Sequence, residues 1–393
     1  MMAHWLGNLQ AYRTVGRCLV AGLVWTSCSH PKDADPANST FDPTTCTGAF
    51  HVVYASQPNE LPPGARDLTW KDGNLFVGHS SPDDAWVFSL PDTGIGNKDL
   101  LYEGHVRSWW LEDDRLIYAQ NYDLFSMPQT GGSPSSILHY GDLAYDVLKG
   151  LSLSEHNLDR TAIYWLFYNG DLTVRRHLRS GGEDTILAEM LGFGSRDLQW
   201  MRQVRDRLVI CFWRKGFGTY VATVPKAGGT PQSLPVPDDY SMLLAVSNGG
   251  SLLWYTPASS SNGERSYYSL GNIDGSQLLP FTVTLPQSAY PGPLNAWSAG
   301  NGGWYIVVGQ YGAQGALYLS IWYVKSDGQA NRLACDPTAE VPDPYKTEPR
   351  PVATSTAGVA SDGSFFVSVS YPENNWVIAR VENPSGTADT TTP

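Results

Sequence analysis

Short polar clusters alternate with apolar runs along most of the chain. WKDGNLFV, LEDDRLIY, HNLDRTAIYW, QVRDRLVICFW, SNGGSLLWY, GNGGWYIVV and ASDGSFFVSV begin near Lys71, Glu112, His156, Gln203, Ser247, Gly300 and Ala360. Each sets a turn before a run of aliphatic, β-branched and aromatic residues, the composition of a strand. They recur about every 40 to 60 residues, the spacing of a repeated supersecondary unit.

A second turn follows each apolar pair, in SLPDTGIG, SMPQTGG, HLRSGG, TVPKAGG, GNIDGS and VKSDGQ. Tight hairpin links need positive φ at one or two places, which glycine adopts at little cost. The first unit reads as four strands, RDLTW, NLFVGH, AWVFSLP and KDLLYEG, without the 3.6-residue spacing of a helix. Four antiparallel strands per unit make a propeller blade. A linear β-solenoid is the rival, but its coils are shorter and lack two turns of different chemistry per repeat. The stretch from Asn157 to Leu187 supplies most of the third blade.

The ends sharpen this expectation. The seventh unit offers VATSTAGVA, SFFVSVSY and WVIARVE and then runs into a polar tail, one strand short. FHVVYASQ, Phe50 to Gln57, precedes the first unit and belongs to no blade of its own. Pairing it beside Trp376 to Glu382 closes the ring and removes two exposed edges. The expected fold is therefore an all-β, seven-bladed propeller of four-stranded antiparallel blades over residues 49–384, closed by an N-terminal strand that completes the last blade. The repeated Pro-x-x-Gly-Gly link with a following Leu resembles the repeats of TolB-like and related bacterial periplasmic propellers, over residues 50–384. The WD40 and kelch patterns are not matched.

The first residues form a separate object. Arg13 and Arg17 precede an apolar run from Cys18 to Trp25 that is too short to span a bilayer. It fits the core of an export signal over residues 1–27. Thr26-Ser27-Cys28 resembles a bacterial lipobox, which implies lipidation at Cys28, and Ser29 after it implies sorting to an outer membrane. Trp25 departs from the aliphatic residue usual there, leaving plain secretion or retention in the cytosol as alternatives. Residues 28–48 are rich in Pro, Ser, Thr and Asp, as in a flexible tether, and 385–393 have the same character, as in a disordered tail.

Composition adds to this picture. The 393 residues include 14 Trp and 21 Tyr, and 16 % are charged, which favours strands. The formal charge is −12; without residues 1–27 there are 24 basic and 38 acidic residues, or −14. That acidity argues against nucleic acid as a partner.

Of the five cysteines, Cys18 leaves with the signal, and Cys211, in RLVICFW, reads as a small buried hydrophobe. Cys46 and Cys335 become neighbours in the ring and are a hypothetical disulfide in an oxidising compartment. Adjacent carboxylates such as Asp83 and Asp84, or Asp113 and Asp114, point to opposite strand faces and read as turn residues. No sialidase-type Asp box, metal-ligand spacing or Gly-x-Ser-x-Gly elbow is present, so no catalytic residue, metal or cofactor is assigned.

Propellers carry function on the face where the tips between second and third strands meet the crossings between blades. HSSPDDAW, FWRKGFGTY and YPENNW lie there with the crossings YEGHVRSWW and GFGSRDLQW. Candidate ligand-face residues are Asp67, His79, Arg107, Trp109, Asp197 and Arg214. Packing between blades is the alternative for most aromatics, and a salt-bridge belt is the alternative for Asp67, Arg107 and Asp197. The functional expectation is a non-catalytic binding scaffold of the cell envelope, engaging a protein or glycan and meeting the membrane only through its lipid. A polysaccharide lyase or glycosidase with a site at the channel mouth, or a small-ligand sensor, are the alternatives.

Overall fold

The structure, a computed structural model, describes residues 50–56, 67–79, 81–106, 108–120, 123–139, 159–169, 171–182, 184–190, 192–193, 198–214, 218–238, 241–256, 265–276, 279–284, 292–299, 302–311, 317–335, 353–360, 362–370 and 376–382. Strand β1 (Phe50–Ala55) comes first. Blade 1 follows with β2 (Asp67–Lys71), β3 (Asn74–His79), β4 (Ser81–Pro91) and β5 (Asp99–Val106). Blade 2 holds β6 (Ser108–Glu112), β7 (Arg115–Gln120), β8 (Asp123–Pro128) and β9 (Ser135–His139). Blade 3 holds β10 (Ala162–Asn169), β11 (Asp171–Leu178) and β12 (Thr185–Met190) among the described residues. Blade 4 holds β13 (Leu198–Val204), β14 (Arg207–Arg214), β15 (Gly218–Pro225) and β16 (Gln232–Ser233). Blade 5 holds β17 (Met242–Val246), β18 (Ser251–Thr256), β19 (Arg265–Asn272) and β20 (Leu279–Thr284). Blade 6 holds β21 (Gly292–Ser298), β22 (Trp304–Tyr311), β23 (Leu317–Val324) and β24 (Ala330–Cys335). Blade 7 combines β25 (Ala353–Val359), β26 (Phe365–Ser370) and β27 (Trp376–Val381) with β1 as its outermost strand. The fold is the all-β, seven-bladed propeller that the turn pattern predicts.

Within a blade the strands are a to d from the innermost outward. The middle strands are covered on both faces by neighbouring blades, so they read as near-continuous apolar runs. Leu75 to His79 of β3 are all buried, whereas the outermost β5 alternates with exposed positions. The core is correspondingly divided into seams between blades. Leu75, Val77, Trp86 and Phe88 of blade 1 pack with Phe366, Trp376 and Ile378 of blade 7. Blade pairs 1 and 2, 3 and 4, 4 and 5, 5 and 6, and 6 and 7 share clusters of the same kind.

The two turns of a blade are joined by one recurring backbone bond. The N–H groups of Asp92, Gln129, Arg179, Lys226 and Ile273, in the c–d turns, donate to the carbonyls of Gly73, Asp114, Thr161, Asp206 and Gly250 in the a–b turns at 2.7–3.0 Å. This satisfies backbone groups that the sheet ladder leaves over.

Closure joins the first and last of the described strands. β1 runs antiparallel to β27 with Phe50 opposite Val381 and Ala55 opposite Val377. At its far end Ser56 N–H donates to the Trp376 carbonyl at 2.9 Å, and Trp376 N–H donates to Ser56 Oγ at 3.0 Å. Tyr54, Trp86, Phe88 and Trp376 stack across the joint, with centroids 5.0–6.3 Å apart. The Lys98 ammonium lies 4.4 Å from the Phe88 centroid and donates to Tyr54 Oη at 3.4 Å. Strand directions put Phe50 and Val381 on the face of the a–b and c–d turns, so the chain enters β1 and leaves β27 on one face.

Candidate functional site

The opposite face carries the b–c tips and the crossings from d to the next a strand. Several expected residues meet there at the joint of blades 1 and 2. Asp67 opens β2 opposite Gly78 and is half-buried. His79 ends β3, is 6 % exposed, and stacks on its cross-strand partner Trp86 with centroids 6.0 Å apart. Trp109 of β6 is 7 % exposed and packs with Phe76, Val87 and Tyr118 between the blades. Its indole lies directly over Gly78, where any Cβ would overlap it. Glycine at 78 is what lets the blades approach. Arg107 and Asp197 lie outside the described residues.

Arg214 stands apart on blade 4. Its guanidinium donates to the Gly192 carbonyl at 2.6 Å and lies 5.8 Å from the Phe193 ring. Phe193 stacks on Phe212 at 4.5 Å and on Tyr220 at 4.7 Å. The crossing from blade 3 is thereby fixed to blade 4 by a cation and three rings. The quoted stretches GFGSRDLQW and FWRKGFGTY contain these rings, but nothing in the spacing pairs them. An open cleft of about 460 Å³ on blade 5 is lined by Asp238, Thr256, Tyr268, Ser269 and Phe281.

The turn face holds a charged network that motif reading misses. Arg179 of blade 3 donates to both Glu112 oxygens of blade 2 at 2.9–3.2 Å and to the Asp159 carbonyl at 3.0 Å. Lys226 of blade 4 donates to Asp159 Oδ2 at 3.0 Å and to Gln203 at 2.9 Å. Asp159 also accepts from Thr161 N–H and Oγ1, Ala162 N–H and Tyr164 Oη at 2.8–2.9 Å. Burial alone would raise its carboxyl, but the Thr161, Lys226 and Ala162 donors prevail and hold it well below the usual carboxylate range. Arg179 and Lys226 occupy the same position in successive c–d turns, and each reaches back to the preceding blade. The repeat that sets the hairpins therefore also positions the cross-blade cations.

His177 and Asp184 pair at 2.9 Å, also on the turn side, within blade 3. The Cys211 thiol is buried and pushed up to about 12 by desolvation, so it is a packing group. Cys28 and Cys46 lie outside the described residues. Cys335 ends β24 on the tip face, whereas Phe50 begins β1 on the turn face. Among the described residues no group of three His, Cys, Asp or Glu converges as a metal site. Among them, too, no helix is long and apolar enough to cross a membrane.

No protein-family model matches the chain, and no curated protein matches it. Among solved structures it is similar to the β-propeller domain of the Trilobed protease from Pyrococcus furiosus, at 12 % identity and a TM-score of 0.50, covering 82 % of this chain and 95 % of that one. It is also similar to TolB from Acinetobacter baumannii, at 12 % identity and a TM-score of 0.39, covering 67 % of this chain and 65 % of that one. The first likeness is one of fold. That propeller is described as having an open velcro topology, whereas here β1 pairs with β27.

Proposed function

We propose that the chain is an exported, lipid-anchored propeller acting as a non-catalytic scaffold in the cell envelope. In this reading residues 1–27 are the export signal, Cys28 carries the lipid, residues 28–48 are the tether and 385–393 are a tail. A protein or glycan partner binds the face of the b–c tips and blade crossings, where Asp67, Arg107, Asp197 and Arg214 are the polar contacts. His79 and Trp109 support that surface from beneath. The observation that carries the reading is the polarity of the ring: the chain enters β1 and leaves β27 on the turn face. An anchor upstream of Phe50 would turn the tip face away from the membrane and leave it open to partners. The interlocked blades favour a rigid platform, on which binding costs little ordering entropy. Net acidity favours partners other than nucleic acid.

Photocrosslinking residues on the two faces test this in the native envelope. Crosslinkers at Gln120, Arg214 and Thr256, on the tip face, should capture a common partner, while those at Thr130, Ser180 and Ala227 on the turn face should not. Capture from the turn face alone would overturn the orientation. Recovery of polysaccharide cleavage or of a tightly bound small molecule, with no macromolecular partner, would replace the scaffold by the enzyme or the sensor.

A further inference from the structure

We infer that the c–d turn of blade 1, with Ile95 at its tip, is a bilayer-contacting foot beside the point where the chain enters the ring. Six c–d turns share one bond, in which a glycine N–H donates to the carbonyl three residues before it, at 2.9–3.0 Å. The residue after that glycine is Gly132, Gly182, Gly229, Ser276 and Gln329 in blades 2 to 6. In blade 1 it is Ile95, which is 83 % exposed. A single exposed isoleucine is ordinary; this one is marked by its place in the repeat and in the ring.

The turn holds Ile95 outward. Gly94 and Gly96 flank it with φ of +72° and +144°, and Ile95 N–H donates to Thr93 Oγ1 at 3.3 Å. Gly94 packs directly on the Val53 backbone of β1, and Lys98 ties the end of the turn to Tyr54. Val53 is three residues beyond Phe50, about 10 Å along an extended strand. Leu100, on β5, is a second exposed apolar side chain of the same hairpin, at 50 %. The foot is thus fastened to the strand that follows the tether, on the face where the chain enters.

This inference rests on the lipid-anchor reading. An anchored chain confronts the bilayer at a high effective concentration, so that one or two apolar side chains are enough for contact. Asp92 and Asp99 outnumber Lys98 around the turn, and the whole chain carries a net charge of −12, so the surface that suits it is zwitterionic rather than anionic.

The test uses the mature full chain with Cys46 and Cys335 replaced by Ser and an environment-sensitive fluorophore at Asn97→Cys or, as reference, at Thr130→Cys. Both sites are exposed, and buried Cys211 does not react. Each is held on phosphatidylcholine vesicles by its own lipid and, separately, by a hexahistidine segment replacing Cys28 on nickel-chelating lipid. The label at 97 should brighten by about two-fold and shift to the blue as it enters the interface. The label at 130 should stay aqueous, Ile95→Asp should abolish the change, and phosphatidylglycerol should weaken it. Equal signals at 97 and 130 on the hexahistidine-held protein would overturn the foot. So would shielding that appears only when an envelope protein is added. Failure of the native chain to partition, with the hexahistidine form behaving as expected, would remove the lipid anchor and leave the foot standing.

Discussion

Asp159 shows how much one side chain does in this ring. Its carboxylate receives bonds from its own turn, from the strand that follows through Tyr164, and from Lys226 of the next blade. Asn at this position keeps the shape but removes the anion that Lys226 faces, and hydrogen bonds to charged groups are worth about 1.5 to 3 kcal/mol each. Asp159→Asn should therefore lower stability by about 2 to 3 kcal/mol in urea titrations. The pH dependence follows from the depressed carboxyl. Its contribution is complete above the ordinary value of 3.8 and is lost as the pH falls below that. The native protein should lose stability steeply on acidification from about pH 4 downward, whereas the Asn variant should show a shallower acid limb. A variant with an acid limb as steep as the native one would deny Asp159 this role.

At the scale of turns and strands, much was legible because turn chemistry is local. Asp-Gly and Gly-Gly links demand positive φ, and Gly73, Gly131, Gly181, Gly228 and Gly275 all adopt it. The ladder partners of β1 could be foreseen by counting strands in the last unit. Which aromatics face a ligand could not. Strands covered on both sides lose the alternation that distinguishes inside from outside, so Trp109 and His79 look in sequence like any rim residue. The cross-blade cations Arg179 and Lys226 were hidden for another reason: their partners Glu112 and Asp159 are each 67 residues away, beyond any local motif. Two glycines separate turn conformation from packing. Gly73 has a φ of +77° and open space around it, whereas Gly94 has a φ of +72° and abuts the Val53 carbonyl. Gly73→Ala should cost about 1 kcal/mol, and Gly94→Ala about 2 kcal/mol or more, because backbone cannot give way as a side-chain tip does. Equal losses in paired denaturation curves would show that the turn of blade 1 does not bear on β1.

For the whole molecule, stability is shared by seams that each need both neighbours. Removing residues 50–56 uncovers the outer edge of β27 and removes Tyr54 from the stack with Phe88 and Trp376. The truncated chain should lose its single cooperative unfolding transition and bind a hydrophobic dye, with the disturbance propagating into both blades at the joint. Retention of the native melting profile would mean that the ring stands without its closing strand.

The joint also has a consequence for biosynthesis. The hydrogen bond from Trp376 N–H to Ser56 Oγ spans 320 residues. At ribosomal speeds of about 5 to 20 residues per second, the earliest-made strand waits roughly 15 to 65 s for its partner. During that interval its backbone edge and the aromatic ring of Tyr54 are open to any neighbour, including the same segment of another nascent copy. A holding factor, or transport in an unfolded state, would guard the interval, and circular permutation that makes β1 and β27 adjacent would abolish it.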